Sequence, residues 1–118
     1  MSASSRKLLI LIGQKTYKNL DSKMKAYEHL VSYALERGIT ISVWDGEDWP
    51  VMKSDDRGLI IDHIESVEEA GINLYQGDKN VGWALIIPFG LEDDETVADF
   101  TTTEFMLGWD EAYTGKRF

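Results

Sequence analysis

Ile39-Thr40-Ile41-Ser42-Val43-Trp44-Asp45-Gly46-Glu47-Asp48-Trp49-Pro50 reads as the first arm and the turn of a β-hairpin. Ile39, Ile41 and Val43 alternate with Thr40, Ser42 and Trp44, the period-2 pattern of a strand with one buried face. Asp45-Gly46 follows, and Asp-Gly between two such runs is a strong short-range hairpin signal, because these residues tolerate the positive φ that tight turns require. Residues 49–53 form the returning arm, and a four-residue loop sets Trp44 across from Trp49. Pro50 has no N–H to give to a ladder, so this arm lies at a sheet edge or begins at that point.

Further along the chain the pattern returns. Ile72, Leu74 and Gln76 alternate up to Gly77-Asp78-Lys79-Asn80, and Val81, Trp83, Leu85 and Ile87 alternate away from it until Pro88. Three helices separate and flank the hairpins. Leu20, Met24, Tyr27, Leu30, Val31, Ala34 and Leu35 recur at helical spacing over residues 21–37, with Asn19 or Asp21 as the N-cap and Gly38 as the C-terminal cap. Ser54 opens a second helix that runs to residue 70 and ends at Gly71. After the acidic loop Glu92-Asp93-Asp94-Glu95, Thr101 and Glu104 form a capping box for a last helix bearing Phe105, Trp109, Ala112 and Tyr113. Gly108 weakens that helix, so tertiary contacts must hold it.

The fold expected is α+β: a mainly antiparallel sheet of four or five strands from two hairpins, packed by three helices on one face. The apolar run Leu8-Leu9-Ile10-Leu11-Ile12 fits a buried strand and equally a short amphipathic helix, and the strand is the preferred reading. If it is a strand, a rival architecture exists in which residues 8–12, the first helix and residues 39–43 make a right-handed crossover in a partly parallel sheet. At 118 residues and 43% apolar content the chain forms a single domain, residues 1–118, with 1–6 as a loose tail.

The charge is segregated. Residues 26–115 carry twenty Asp and Glu against four Lys and Arg, a formal charge of −16, whereas residues 1–25 are +5 and the last three are +2, giving −9 in all. Concentrating like charge destabilises a fold by self-repulsion, so the excess points to a use: solubility, rejection of polyanions, or attraction to a basic partner. It argues against direct binding of nucleic acid or of anionic membranes. There is no cysteine, so disulfide and thiolate chemistry are excluded. Residues 8–12 are too short for the roughly 7–15 apolar residues of a secretory signal or the roughly 20 of a membrane span, and the expected location is the cytoplasm.

No catalytic motif emerges. His29 and His63 are the only histidines; Asp62 precedes His63, but helix neighbours point about 100° apart and do not orient one another. Neither the His-x-x-x-His spacing nor a cysteine ligand for zinc is present. No serine lies in a Gly-x-Ser-x-Gly elbow, and Gly13-Gln14-Lys15-Thr16 lacks the first glycine of a phosphate-binding loop. No cofactor is implied. Asp45, Glu47 and Asp48, with His63, are the candidates for a small metal-dependent enzyme, although Gly46 directly after Asp45 breaks the EF-hand pattern. A structural or assembly subunit is a further alternative.

The leading expectation is a non-enzymatic protein that binds a basic protein partner. At about 100° per residue, Asp55, Asp62, Glu65 and Glu69 fall within about 80° of one another on the second helix, a ridge of carboxylates opposite its apolar face. Duplex DNA carries one negative charge per roughly 1.7 Å, so sixteen charges correspond to about 27 Å of duplex, comparable with the span of a chain this long. The ridge is therefore a candidate DNA mimic, and a DNA-handling enzyme a candidate partner. Trp44 and Trp49 flank Asp45-Gly46-Glu47-Asp48, where exposed aromatic anchors beside a charged turn would add to the docking surface.

Ile39 to Trp49 of the first hairpin, together with Gly82-Trp83-Ala84-Leu85-Ile86-Ile87-Pro88 and Asp94-Glu95-Thr96-Val97-Ala98-Asp99-Phe100, resembles small acidic proteins encoded by bacteriophages and prophages, over residues 39–113. That resemblance implies a setting in the cytoplasm of a bacterial host and an accessory or inhibitory role through a host protein. It implies no catalytic residue.

Overall fold

The computed structural model describes residues 24–90 and 92–115. The readings of residues 1–6, 8–12 and 13–16, and the Asn19 or Asp21 cap, fall outside them. The order of elements is α1 (Ala26–Glu36), β1 (Thr40–Trp44), β2 (Val51–Ser54), α2 (Arg57–Ile64), β3 (Ala70–Gln76), β4 (Lys79–Ile86), a 3-10 turn (Asp93–Glu95), β5 (Val97–Phe100) and α3 (Glu104–Gly115). All neighbouring strands are antiparallel, in the sheet order β2-β1-β3-β4-β5. The fold is α+β, with a five-stranded antiparallel sheet and three α-helices among the described residues.

Alternation along the strands sorts their side chains. Ile41 and Val43 of β1 pair with Leu74 and Ile72 of β3, which pair in turn with Gly82 and Ala84 of β4. These residues are buried under the helices, in one core with Leu30, Val31, Ile60, Ile64, Met106 and Trp109. Most residues on the other face, among them Trp44, Asn73, Tyr75, Trp83 and Leu85, stay half-buried or exposed, while Ser42 and Gly71 are buried there. This is the one-sided burial of an antiparallel sheet.

The first hairpin matches its sequence signals. β2 is an edge strand that starts just after Pro50, and Trp44 and Trp49 are neighbours, their rings 6.4 Å apart. A bulge interrupts its pairing: Ile41 faces Ser54 and Val43 faces Val51, with Lys53 at φ 45° and its N–H donated to the buried Ser42 hydroxyl at 2.9 Å. A short, bulged edge preceded by proline is a poor template for pairing with another chain. In the second hairpin only Gly77 and Asp78 form the loop, Gln76 facing Lys79, and Gly77 takes the positive φ, 62°, that such a turn needs at its first position.

Four expectations are corrected. α1 ends as expected, with Gly38 in the left-handed region and its N–H on the Leu35 carbonyl, but it begins at Ala26, where Glu28 accepts the N–H of Lys25 at 3.1 Å. α2 spans Arg57–Ile64 instead of residues 54–70, because Ser54 belongs to β2 and Asp56 is the cap, accepting the N–H of Leu59 at 3.1 Å. At the other end the Ser66 hydroxyl donates to the His63 carbonyl at 2.7 Å, and Ala70 is drawn into β3, where it is buried. Residues 97–100, to which the sequence pattern assigns no element, form the edge strand β5. Thr101 extends that pairing, its N–H donated to the Trp83 carbonyl at 3.0 Å, and Thr103 caps α3 in its place, its hydroxyl accepting from the N–H of Met106 at 3.4 Å.

α3 needs the contacts its Gly108 implied. The buried Trp109 Nε1–H donates to His29 Nδ1 of α1 at 3.1 Å, and Tyr33 lies 5.5 Å from Phe105 between ring centroids. A Cβ at Gly108 would stand 3.3 Å from the Tyr33 hydroxyl. At the sheet the fit is tighter still, for a Cβ at Gly82 would lie 2.5 Å from Met106 Cγ and 2.8 Å from its Sδ, and Met106 is fully buried. Gly82→Ala is expected to cost about 1–3 kcal/mol by overpacking, measured by denaturant unfolding. The cost should shrink in a Met106→Ala background, and equal costs in both backgrounds would show that α3 does not rest on β4 there.

Candidate acidic docking surface

The strand register decides which acidic residues share a neighbourhood. Trp44 faces Gly71, Ala70 faces Ile86, and Ile86 faces Val97, so three connections converge on one end of the sheet. The turn after β1 brings Asp45, Glu47 and Asp48, the link from α2 into β3 brings Glu65, Glu68 and Glu69, and the link from β4 to β5 brings Glu92, Asp93 and Glu95. The four Lys and Arg between residues 26 and 115 lie at the opposite end: Arg37 before β1, Lys53 late in β2, Arg57 at the start of α2, and Lys79 after the Gly77-Asp78 turn. The molecule is polarised along its strands.

Ion pairing follows the same division. Among the described residues the two ion pairs are Arg37 with Glu36 at 3.7 Å and Lys53 with Asp78 at 3.2 Å, both at the end that holds the four cations, where Asp55, Asp56 and Glu104 also lie. At the acidic end the Lys25 ammonium donates to the Pro88 carbonyl at 3.3 Å and lies 5.8 Å from the Phe89 ring centroid, pairing with no carboxylate among the described residues. The carboxylates of Glu47, Asp48, Glu68 and Glu69 meet no cation among the described residues.

Two carboxylates there serve the fold. Asp45 Oδ1 accepts from the N–H of Asp48 at 2.8 Å and of Glu47 at 3.0 Å, and the N–H of Asp45 donates to the Asp48 carbonyl at 3.0 Å. These bonds fix the turn, and the amides of Asp48 and then Glu47 hold the Asp45 carboxyl below its ordinary value. Nearby His63, in the last turn of α2, adds a smaller push the same way. Glu65 accepts the hydroxyl of the buried Tyr27, tying the end of α2 to α1. Burial first, then that bond and the charge behind it, hold the Tyr27 phenol far above its usual range, so it stays a donor.

The site residues read from sequence are therefore divided. Trp44, Asp45, Glu47, Asp48, Trp49, Glu65 and Glu69 share the acidic end, and Asp62 lies in the second half of α2, which runs toward it. Asp55 does not, because it follows β2 at the opposite end. The helical ridge is also absent, since of its four members only Asp62 is within α2. Glu68, Glu92, Asp93 and Glu95 were missed as partners of the first turn; the pairings that join them, β1 with β3 and β4 with β5, lie outside the two hairpins. Trp44 and Trp49 are 40% and 42% exposed, beside that turn.

Among the described residues no three His, Asp or Glu side chains converge so as to hold a metal ion, and Asp45, Glu47, Asp48 and His63 form no such set. A cleft of about 690 Å³ opens at the other end, between Tyr33, Phe105 and Lys79. No described helix is long and apolar enough to cross a membrane. No family model, curated protein or solved structure matches the chain.

Because its folded value is lowered, Asp45 supports the turn fully above the ordinary 3.8 and less as pH falls through the lowered value. Carboxyl NMR titration is expected to place its midpoint below 3.8. A midpoint at or above that value would mean that the turn amides do not engage it.

Proposed function

We propose that this protein is a non-enzymatic accessory protein, of the phage or prophage kind its sequence resembles, which docks its acidic end on a basic protein of the virus or its bacterial host. The observation that carries the reading is the polarity of the charge: acids from three connections gather where no ion pair forms among the described residues, while the pairs and four cations lie at the other end. Charge tolerated only for solubility has no reason to be arranged so. A negative end steers a basic partner into one orientation and repels nucleic acid, so a DNA-handling enzyme fits as a partner for which this protein competes with DNA. The competition would come from the whole end, since the helical row proposed from sequence does not form.

The reading is tested with protamine as a defined basic protein. Affinity is expected to fall about tenfold or more as ionic strength rises from about 0.05 M to about 0.2 M, because exposed charges are screened within a Debye length. The same salt should raise the melting temperature by screening repulsion within the acidic end. Glu47→Lys with Glu69→Lys is expected to weaken binding about tenfold or more than the matched pair Asp55→Lys with Glu104→Lys, which alters the net charge equally. Equal losses from the two pairs would assign binding to net charge alone and sink the proposal.

A further inference from the structure

We infer that Trp44 and Trp49 are the arginine-binding element of the acidic end, taking a guanidinium from the partner in preference to an ammonium. The inference rests on the docking role proposed above. The two indoles have centroids 6.4 Å apart and planes inclined by 39°, so they do not stack face to face, and each is about two-fifths exposed, 40% and 42%. Trp44 is propped by Gly71, where a Cβ would stand 3.4 Å from Trp44 Cε3 and 3.4 Å from Trp83 Nε1. The turn leading to Trp49 is held by Asp45, so binding needs little reordering of the pair.

Other rings of the molecule already hold cations. Arg37 Cζ lies 3.5 Å from the Tyr33 centroid, Lys53 Nζ 4.8 Å from that of Tyr75, and Lys25 Nζ 5.8 Å from that of Phe89. Among the described residues no cation lies over Trp44 or Trp49, although indole is the strongest cation-binding ring. Glu47 and Asp48, whose carboxylates have no cation among the described residues, lie in the same turn. Exposed rings, and acids without a cation among the described residues, so placed fit a cation supplied by a partner.

Arginine fits better than lysine. Its guanidinium is planar and weakly hydrated, so it can lie on a ring while its edge N–H groups reach a carboxylate, whereas an ammonium is compact and strongly hydrated. Arg37 shows the arrangement within this chain: it lies on Tyr33, donates to the Tyr33 carbonyl at 3.0 Å and stands 3.7 Å from Glu36.

The test is calorimetric titration of the full chain with oligo-arginine and oligo-lysine of equal length at low salt. Wild type is expected to bind the arginine peptide about fivefold to tenfold more tightly, and Trp44→Leu with Trp49→Leu to bind both at the lysine peptide's affinity. Trp49→Leu alone, outside the strand ladder, carries the comparison if the double variant does not fold. Equal affinities in wild type, with binding still salt-sensitive, would overturn the arginine assignment and leave the docking role standing. A preference that survives loss of both indoles would overturn it too, and failure of both peptides to bind would remove the docking role and the assignment together.

Discussion

Three pairings meet at the beginning of β3: Trp44 opposite Gly71, Gly71 opposite Leu85, and Ala70 opposite Ile86. They fix the interior and the charged surface together. Because side chains alternate along a strand, a slip of one residue in β3 would turn Ala70, Ile72 and Leu74 out of the core and bring Gly71, Asn73 and Tyr75 into it. The same slip would shift Glu68 and Glu69 relative to the Asp45 turn. Burial of the apolar set thus places the acids, although no acid contributes to that burial.

The energetics favour this dependence. Fully burying a side chain such as Ile72, Leu74 or Ile86 is worth about 1.5–3 kcal/mol each. Two exposed carboxylates about 8–10 Å apart repel by about half a kcal/mol in water before salt screens them further. The core can therefore hold acidic connections together, provided that they are anchored. The anchors are hydrogen bonds, one set within the turn and two that reach α1: Asp45 to the amides of its own turn, Glu65 to Tyr27, and the Thr96 hydroxyl accepting the N–H of Tyr27 at 3.2 Å.

Features whose causes are local were legible in sequence. Asp45-Gly46, Pro50, Gly38 and the alternation on either side of Gly77 depend on neighbours in the chain, and each element they imply is present. Where tertiary structure chose among local options, the reading drifted. Val67 and Ala70 keep helical spacing after Ile64, yet β3 takes Ala70, so the supposed acidic ridge dissolves and Asp55 is left at the far end. Thr101 and Thr103 are both capable caps, and pairing with Trp83 removes the first. The strand Val97–Phe100 is only four residues long and does not alternate apolar with polar, since Asp99 is its one polar residue, and as an edge strand it leaves Ala98 and Asp99 exposed. The acidic end was the least legible feature, since it joins residues 45–48, 65–69 and 92–95, which only the register brings together.

The way these acids are spread bears on what they can attract. A point cation needs several oxygens converging at about 2–2.6 Å, and no three described side chains converge in that way. Carboxylates held on three separate connections present their charge over an area, all but the half-buried Asp45 on exposed residues. A dispersed array gains most from a ligand whose positive charges are dispersed to match, so that many weak, screened attractions act together. The two indoles add what such attraction lacks, a short-range contact that depends on the shape of the cationic group. In the docking proposed, charge would supply steering and salt sensitivity, and the aromatic pair the discrimination between one basic side chain and another.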